Sequence, residues 1–150
     1  GQYIKHYVTA IAKYEQFKCP LWGDVAKFYG IVPIDRLNTG KAISSLKKAE
    51  EEILKNEVSF LIAPEGTRSR DGKLGEFKKG AFHIAKNTGI SIVPIIINGA
   101  YEGKNKSDWR LSPGKINVHF ANAISSALYA DMSINELRDY VRCKIKDFVD

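Results

Sequence analysis

The sequence predicts an α/β fold: a single domain built on a mostly parallel central sheet with helices on both faces. Short segments that are apolar almost throughout are typical of strands buried on both faces of a parallel sheet. Segments with helical periodicity alternate with these strands, as in successive βαβ units. The 150-residue chain is 44% apolar and 27% charged, which suits one globular domain with its own core.

The first half of the chain supplies three predicted strands and two predicted helices. The strands are Tyr7–Ala12, Gly30–Asp35, where Pro33 indicates a sheet edge or a bulge, and Val58–Ile62, which is expected to be buried. The helices are Leu21–Tyr29, closed by Gly30, and Lys41–Lys55. The second helix carries one apolar stripe and a charged face with opposite charges four residues apart. The residues of that stripe are Ile43, Leu46, Ala49, Ile53 and Leu54.

The second half opens with a long polar stretch, Pro64–Lys79. It has no periodicity, and loops of that length in compact domains are usually functional or disordered. The elements predicted after it are a helix Gly80–Asn87 stopped at Gly89, a strand Ile90–Ile97, a polar connection Asn105–Pro113 and a half-exposed edge strand Lys115–Ala121. Ser133-x-x-Glu136 is a capping box that opens the last helix. Its predicted buried stripe is Ile134, Leu137, Val141, Ile145 and Phe148.

The charge balance of the chain favours a polyanionic partner. The formal net charge is +6, which suits phospholipid headgroups, nucleic acid or an acidic carrier protein, with a merely solvated basic surface as the alternative. Aromatic residues do not interleave with the basic ones, which argues against nucleic acid. Cys19 and Cys143 lie far apart and in no metal spacing, so we expect a reducing compartment and no disulfide framework. No apolar run approaches the roughly 20 residues of a membrane span, so membrane contact by this segment is expected to be peripheral, and a spanning helix upstream of Gly1 stays open.

The candidate site follows the strand Val58–Ile62. The run Ala63–Ser69 (APEGTRS) places a carboxylate, a flexible backbone position, a hydroxyl and a guanidinium in the four consecutive residues Glu65–Arg68. Open α/β sheets bind ligands where a strand ends in such a loop. Arginine offers a planar fork of donors to phosphate, and glycine lets the backbone approach an anion closely. The run therefore predicts a site for a phosphate-bearing substrate.

Three segments in this order resemble motifs two, three and four of the lysophosphatidate acyltransferase family, also called 1-acylglycerol-3-phosphate acyltransferases. They are Gly30–Arg36 (GIVPIDR), Ala63–Ser69 and Ile90–Ile97 (ISIVPIII). The flanking segments Ala12–Glu15, Pro20–Gly23 and Gly75–Ala81 also resemble the family, so the resemblance extends from Val8 to Gly99. It implies a fold like that of the glycerol-3-phosphate acyltransferases.

The resemblance implies substrate-binding roles for Lys13, Arg36, Glu65, Gly66, Thr67 and Arg68. Arg36 and Arg68 are expected to converge at the ends of neighbouring strands and to clamp the acceptor phosphate, although Arg36 could instead pair with Asp35 at a turn. Glu65 is expected to bind an acceptor hydroxyl or to orient the arginines. Thr67 either donates to phosphate or completes the turn, and Lys13 is either a phosphate contact or a solvated side chain.

The family also carries a catalytic His-x4-Asp motif, in which the histidine is the base, and this chain contains no such run. The residues five positions after His6, His83 and His119 are Ile11, Thr88 and Ile124. No catalytic residue is therefore assigned in the chain. The motif is expected upstream of Gly1, so residues 1–150 are interpreted as an N-terminally truncated acyltransferase domain that is inactive alone.

The activity that the resemblance implies belongs to phospholipid biosynthesis: transfer of a fatty acyl group from acyl-CoA or acyl carrier protein to the free hydroxyl of lysophosphatidate. No cofactor or metal is implied. The implied partners are the lysophospholipid acceptor, the acyl thioester donor and an anionic membrane surface, at the cytoplasmic face of a membrane. Glycerol-3-phosphate or another lysophospholipid stays open as the acceptor. The alternative function is a non-catalytic basic domain that binds anionic lipid or other phosphate-bearing ligands. The basic residues Arg70, Lys73, Lys78 and Lys79 suit an acyl carrier, a membrane surface or simple solvation.

Overall fold

A computed structural model describes residues 7–35, 38–104 and 109–148. Contacts within the chain group it into two compact units, Gly1–Ile62 and Ala63–Asp150. The α/β class is confirmed, because strands alternate with helices along the chain and the first unit contains a parallel sheet. None of the described helices is long and apolar enough to cross a membrane.

The first unit is built on a three-stranded parallel sheet with the strand order β2-β1-β3. The strands are β1 (Val8–Lys13), β2 (Val32–Ile34) and β3 (Ser59–Leu61). A 3-10 helix (Tyr14–Lys18) and α1 (Trp22–Phe28) connect the first two strands, and α2 (Thr39–Asn56) leads into the third. Among the described strands β2 lies at an edge, which is the position that Pro33 indicated.

Burial in the first unit differs from the sequence prediction at two places. The strand predicted to be buried is only partly so, since Phe60 is half-buried and Leu61 is exposed. β3 pairs only with β1 among the described strands, so it is an edge strand there and does not have neighbours on both sides. On α2, the middle of the predicted stripe is buried at Ala49 and Ile53, whereas Leu54 is exposed.

The second unit combines an antiparallel strand pair with four helices in its described part. The elements are α3 (Gly80–Thr88), β4 (Ile95–Asn98), α4 (Ala100–Gly103), β5 (Asn117–Phe120), α5 (Ser126–Tyr129) and α6 (Ile134–Lys146). β4 pairs with β5 from Ile95 opposite Phe120 to Asn98 opposite Asn117. α3 ends at Gly89, as predicted, with a left-handed φ of 66°.

The core of the second unit lies where α3 packs against α6. Its buried residues are Phe77, Phe82, Ala85, Ile96, Ala121, Ile124, Tyr129, Leu137, Val141 and Ile145. The Tyr129 hydroxyl donates to the main-chain carbonyls of Ala85 and Ile90, so its polar atom is satisfied inside the core. Burial raises the pKa of this phenol.

The predicted capping box at the start of α6 is confirmed. The Ser133 hydroxyl accepts from the Glu136 N–H at 3.2 Å, and the Glu136 carboxylate accepts from the Ser133 N–H at 2.7 Å. Leu137, Val141 and Ile145 are buried as predicted. Phe148 is not: it is exposed, and its ring lies 4.5 Å from the His119 ring.

The alternation predicted for the edge strand Lys115–Ala121 is wrong for β5. All four of its residues are exposed, including Val118 and Phe120. In the part of the chain that the structure describes, its sheet has only two strands, so the apolar side of β5 stays accessible. Residues 105–108 of the predicted polar connection lie outside the described ranges.

Candidate functional site

The candidate site is the segment Glu65–Arg68, at the start of the second unit. The Gly66 N–H donates to the Ala63 carbonyl at 3.1 Å and closes a tight turn. Gly66 has a φ of 71°, a left-handed conformation that a side chain would strain. Glycine is therefore required by the turn itself, apart from any approach of an anion.

The Glu65 carboxylate folds back onto its own loop. Its Oε2 accepts from the Gly75 N–H at 2.8 Å, ten residues further along the chain. A Cβ on Gly75 would lie 2.7 Å from that oxygen, so only glycine lets the two segments approach so closely. Within the described residues, Glu65 forms no ion pair with Arg68. Glu65 therefore does not orient Arg68 by direct contact, which was one of its two predicted roles. The other role, binding of an acceptor hydroxyl, stays a prediction.

The helix α6 holds the same part of the loop from the other side. Arg142 Nε donates to the Gly75 carbonyl at 3.1 Å, and Arg142 Nη2 donates to the Leu74 carbonyl at 3.3 Å. The sequence reading missed Arg142. Arg142 is separated from Gly75 by 67 positions and from Leu74 by 68 positions, and no local sequence pattern identifies contacts over such separations. The only available signal was a basic residue beside the apolar stripe of α6.

The rest of the long polar stretch is ordered by bonds between side chains and the main chain. Asp71 Oδ1 accepts from the Lys73 N–H and from the Ser69 hydroxyl, both at 3.1 Å. The Lys73 N–H and then the Ser69 hydroxyl lower the pKa of Asp71. The Tyr101 hydroxyl donates to the Arg70 carbonyl at 3.0 Å. These contacts make the stretch an ordered loop.

The base of this loop is closed by its two ends. The Lys78 N–H donates to the Pro64 carbonyl at 2.7 Å, and the neighbouring Phe77 is buried in the core. The loop therefore leaves the core and returns to it as a closed unit that presents its middle to solvent. The basic side chains predicted to suit an acyl carrier or a membrane, Arg70, Lys73, Lys78 and Lys79, are all exposed.

Arg68 lies on the exposed side of the turn. Across residues 7–35, 38–104 and 109–148 its guanidinium has no hydrogen bond or ion pair, so its donors face solvent. Thr67 is exposed beside it, with its hydroxyl 3.4 Å from the Arg68 carbonyl oxygen. The segment thus offers an accessible cation next to a turn that is held by the Gly66–Ala63 and Glu65–Gly75 hydrogen bonds.

The remaining predicted residues belong to the first unit. Lys13 is exposed at the last position of β1, and its Nζ lies 3.4 Å from Glu15 Oε1. Arg36 lies outside the described residues. Its pairing with Asp35 and its convergence with Arg68 therefore remain predictions. The strands that precede the two arginines were predicted to be neighbours and are not, because β1 lies between β2 and β3. Asp35 itself is 4.0 Å from the Lys41 ammonium.

The described histidines lie at the surface. His83 is exposed on α3 and His119 is exposed on β5, while His6 lies outside the described ranges. No group of three or more His, Cys, Asp or Glu side chains within those ranges could hold a metal ion.

An apolar depression of about 230 Å³ lies in the first unit. Its lining residues are Val8, Thr9, Ala10, Tyr29, Ile31 and Leu61. None of them is a predicted site residue, and the Thr9 hydroxyl is occupied by the carbonyls of Tyr29 and Gly30.

Comparisons with known proteins show which family this chain resembles. Residues 2–98 match the protein family described as Acyltransferase. The chain is 36% identical over 134 residues to a 1-acyl-sn-glycerol-3-phosphate acyltransferase of Limnanthes douglasii, covering 89% of this chain and 47% of that protein. It is 37% identical over 134 residues to a chloroplastic enzyme of the same name from Arabidopsis thaliana, covering 87% of this chain and 36% of that protein. The chain thus spans less than half the length of either plant enzyme.

A solved structure is also similar to this fold. It is the crystal structure of the 1-acyl-sn-glycerophosphate acyltransferase PlsC from Thermotoga maritima, with a TM-score of 0.80 and 31% sequence identity. The match covers 95% of this chain and 56% of that one. The family match ends at residue 98, so it includes the loop with Arg68 but not α6 with Arg142.

Proposed function

Because the chain belongs to the acyltransferase family, we propose that it forms part of an enzyme that acylates lysophosphatidate and yields phosphatidate. The resemblance predicted from the sequence is confirmed, since its relatives are named 1-acyl-sn-glycerol-3-phosphate acyltransferases. The proposed acceptor is a lysophospholipid, and the proposed donor is a fatty acyl thioester of coenzyme A or of acyl carrier protein.

The observation that carries this proposal is the accessible guanidinium of Arg68. A phosphate monoester accepts two parallel hydrogen bonds from such a fork. Glu65 and Gly66 fix the turn from behind, so little conformational entropy is lost when the phosphate binds. Thr67 is proposed to add a hydroxyl donor, and Lys13 and Arg36 keep the phosphate-binding roles that the resemblance implies.

The proposed reaction is direct acyl transfer. The free hydroxyl oxygen of the acceptor attacks the thioester carbonyl carbon, the new ester C–O bond forms, and the C–S bond breaks to release the thiol. A general base takes the hydroxyl proton, which finally resides on the thiol. The phosphate contacts make this encounter an oriented one. The thioester brings its own activation, so we propose no resident cofactor.

The base is not assigned to any residue of this chain. No histidine here is followed five positions later by aspartate, and the exposed His83 and His119 lie on a helix and a strand of the second unit without a carboxylate partner among the described residues. We therefore expect the 150-residue chain alone to be inactive. An active enzyme that carries this chain is the right material for kinetic tests.

We propose that the enzyme works at the cytoplasmic face of a membrane, where its acceptor resides. The exposed basic residues of the loop, Arg70, Lys73, Lys78 and Lys79, would each add about 1 kcal/mol of attraction to an anionic surface. Trp109 and Leu111, which are 84% and 79% exposed beside Arg110, suit the interface between headgroups and acyl chains.

The test is formation of phosphatidate from lysophosphatidate and oleoyl-coenzyme A by a protein that carries this chain together with the His-x4-Asp motif, and the product is detected by mass spectrometry. Glycerol-3-phosphate in place of lysophosphatidate, and acyl carrier protein in place of coenzyme A, identify the acceptor and the donor. The non-catalytic alternative predicts binding of the protein to vesicles containing phosphatidate without product under any of these conditions. That result would reject the proposed enzyme.

A further inference from the structure

One peptide group of the loop is held between two opposite charges. The peptide bond that joins Leu74 and Gly75 presents its C=O to Arg142 Nη2 at 3.3 Å and its N–H to Glu65 Oε2 at 2.8 Å. The next carbonyl, that of Gly75, accepts from Arg142 Nε at 3.1 Å. A cation on α6 and an anion in the turn are therefore joined through a neutral peptide group.

This arrangement strengthens both hydrogen bonds. The guanidinium draws electron density toward the carbonyl oxygen, which makes the N–H of the same peptide a better donor to the carboxylate. Arg142 and Glu65 are both only partly exposed, so water screens these contacts less than it would on an open surface. The polarised N–H also withdraws charge from Glu65, which reduces the repulsion that a bare carboxylate would exert on a phosphate nearby.

We propose that Arg142 is a positioning residue for Arg68. Arg142 fixes the Leu74–Gly75 peptide, and that peptide fixes the Glu65 carboxylate. Glu65 belongs to the turn that Gly66 closes, three residues before Arg68. Arg142 itself has no predicted contact with substrate, and it lies outside residues 2–98 that match the family. This inference rests on the proposed function of the turn as a phosphate site.

The matched control for Arg142 lies one helical turn earlier on α6. Arg138 donates its hydrogen bonds to Asp139 of the same helix, at 2.8 and 3.0 Å. Its interaction with the loop is an electrostatic attraction to Glu76, which is weaker than its interaction with Asp139. Arg138→Ala therefore removes the same side chain from the same helix without removing a bond to the loop.

The experiment measures kcat and KM of the active enzyme that carries this chain, for lysophosphatidate and separately for oleoyl-coenzyme A. Arg142→Ala should raise KM for lysophosphatidate by roughly tenfold, as expected when one charge-assisted contact is misplaced. KM for the acyl donor should stay within about twofold, since the donor does not use the phosphate contact. Arg138→Ala should leave both values unchanged. An unchanged KM for lysophosphatidate in Arg142→Ala, or an equal rise for donor and acceptor, would overturn the positioning role.

Arg142→Lys covers the case in which the alanine variant does not fold. A lysine ammonium reproduces the charge but not the planar fork that reaches both carbonyls, so its KM for lysophosphatidate should be intermediate. A KM equal to that of the wild type in Arg142→Lys would contradict the two-carbonyl contact.

A second readout separates this inference from the proposed function. If the wild-type enzyme forms no phosphatidate, the proposed function fails, and the positioning role is then decided on the 150-residue chain. Inorganic phosphate is titrated against it while the Gly66 and Arg68 amide shifts are followed by NMR. Weaker phosphate binding in Arg142→Ala than in Arg138→Ala supports the role. Equal binding in the two variants, or none in the wild type, overturns it.

Discussion

The ammonium of Lys86 lies 2.7 Å from the carbonyl oxygen of Met132, so a side chain of α3 reaches the segment that precedes α6. The same ammonium also donates to the carbonyls of Ala130 at 2.7 Å and of Tyr129 at 3.2 Å. All three donors of the lysine are therefore used on carbonyls at and just after the end of α5, where a helix leaves its last carbonyls without intrahelical partners.

Lys86→Met should destabilise the fold because it keeps the apolar stem and removes these three bonds. Hydrogen bonds to a charged group contribute about 1.5–3 kcal/mol, and we expect a loss of free energy of unfolding in that range. Urea unfolding of the 150-residue chain measures it. Lys79→Met is the control and should change stability little, because the exposed ammonium of Lys79 has no hydrogen bond or ion pair among the described residues. Equal stability of the two variants would show that water replaces the ammonium without cost.

Gly75→Ala should break the contact between the loop and Glu65. The new methyl group would lie 2.7 Å from Glu65 Oε2, so the carboxylate must move away and lose its bond to the amide. We expect a loss of about 1–2 kcal/mol in the free energy of unfolding. Urea unfolding of Gly75→Ala, Glu65→Ala and the double variant forms the measurement. Because both changes remove the same bond, the double variant should lose much less than the sum of the two. Additive losses would mean that the glycine is required for another reason.

Acid should weaken the start of α6. The Ser133 N–H, and then the Ser133 hydroxyl, lower the pKa of Glu136 below its ordinary value of 4.5. A carboxyl whose pKa is lowered on folding adds stability above its unfolded pKa, and that stability is lost as pH falls through the folded pKa. The melting temperature of Glu136→Gln should therefore lie below that of the wild type at pH 7. The difference should shrink below pH 4.5. A difference independent of pH would assign the effect to helix propensity.

Arg68→Ala in the active enzyme should weaken the use of lysophosphatidate far more than that of monoacylglycerol, which lacks the phosphate. A bidentate charge-assisted contact contributes about 1.5–3 kcal/mol, so kcat/KM should fall roughly 10- to 150-fold. Lysine should restore only part of the loss, because a point charge does not reproduce the fork. Arg138→Ala again serves as the control. Equal losses on both acceptors would show that Arg68 is structural and would weaken the lipid-substrate reading of the turn.

Local patterns in the sequence located β1, α1 and the start of α6. The predicted strand Ile90–Ile97 is present only as β4 and an isolated bridge at Ile92, and α4 and α5 were not predicted. β1 and α1 differ from prediction by one residue at each end, and the capping box of Ser133 and Glu136 was identified from spacing alone. Such features depend on neighbouring residues only. Burial was harder to predict than the elements themselves, since the exposure of Leu61 depends on which strands lie beside β3. The partners of Glu65 and Arg142 lie from ten to 68 positions away, so the sequence located the turn but not what holds it.

The position of Arg142 also bears on how this domain could be transplanted. The match to the family ends at residue 98, whereas Arg142, which bonds the loop after Arg68, is on a helix that begins at Ile134. A chimera that grafts only residues 2–98 onto another scaffold would carry Arg68 on a loop that lacks the hydrogen bonds from Arg142. The smallest portable module that carries the proposed phosphate site therefore extends through α6. Exchanging that helix between relatives is expected to change acceptor affinity without any change in residues 2–98.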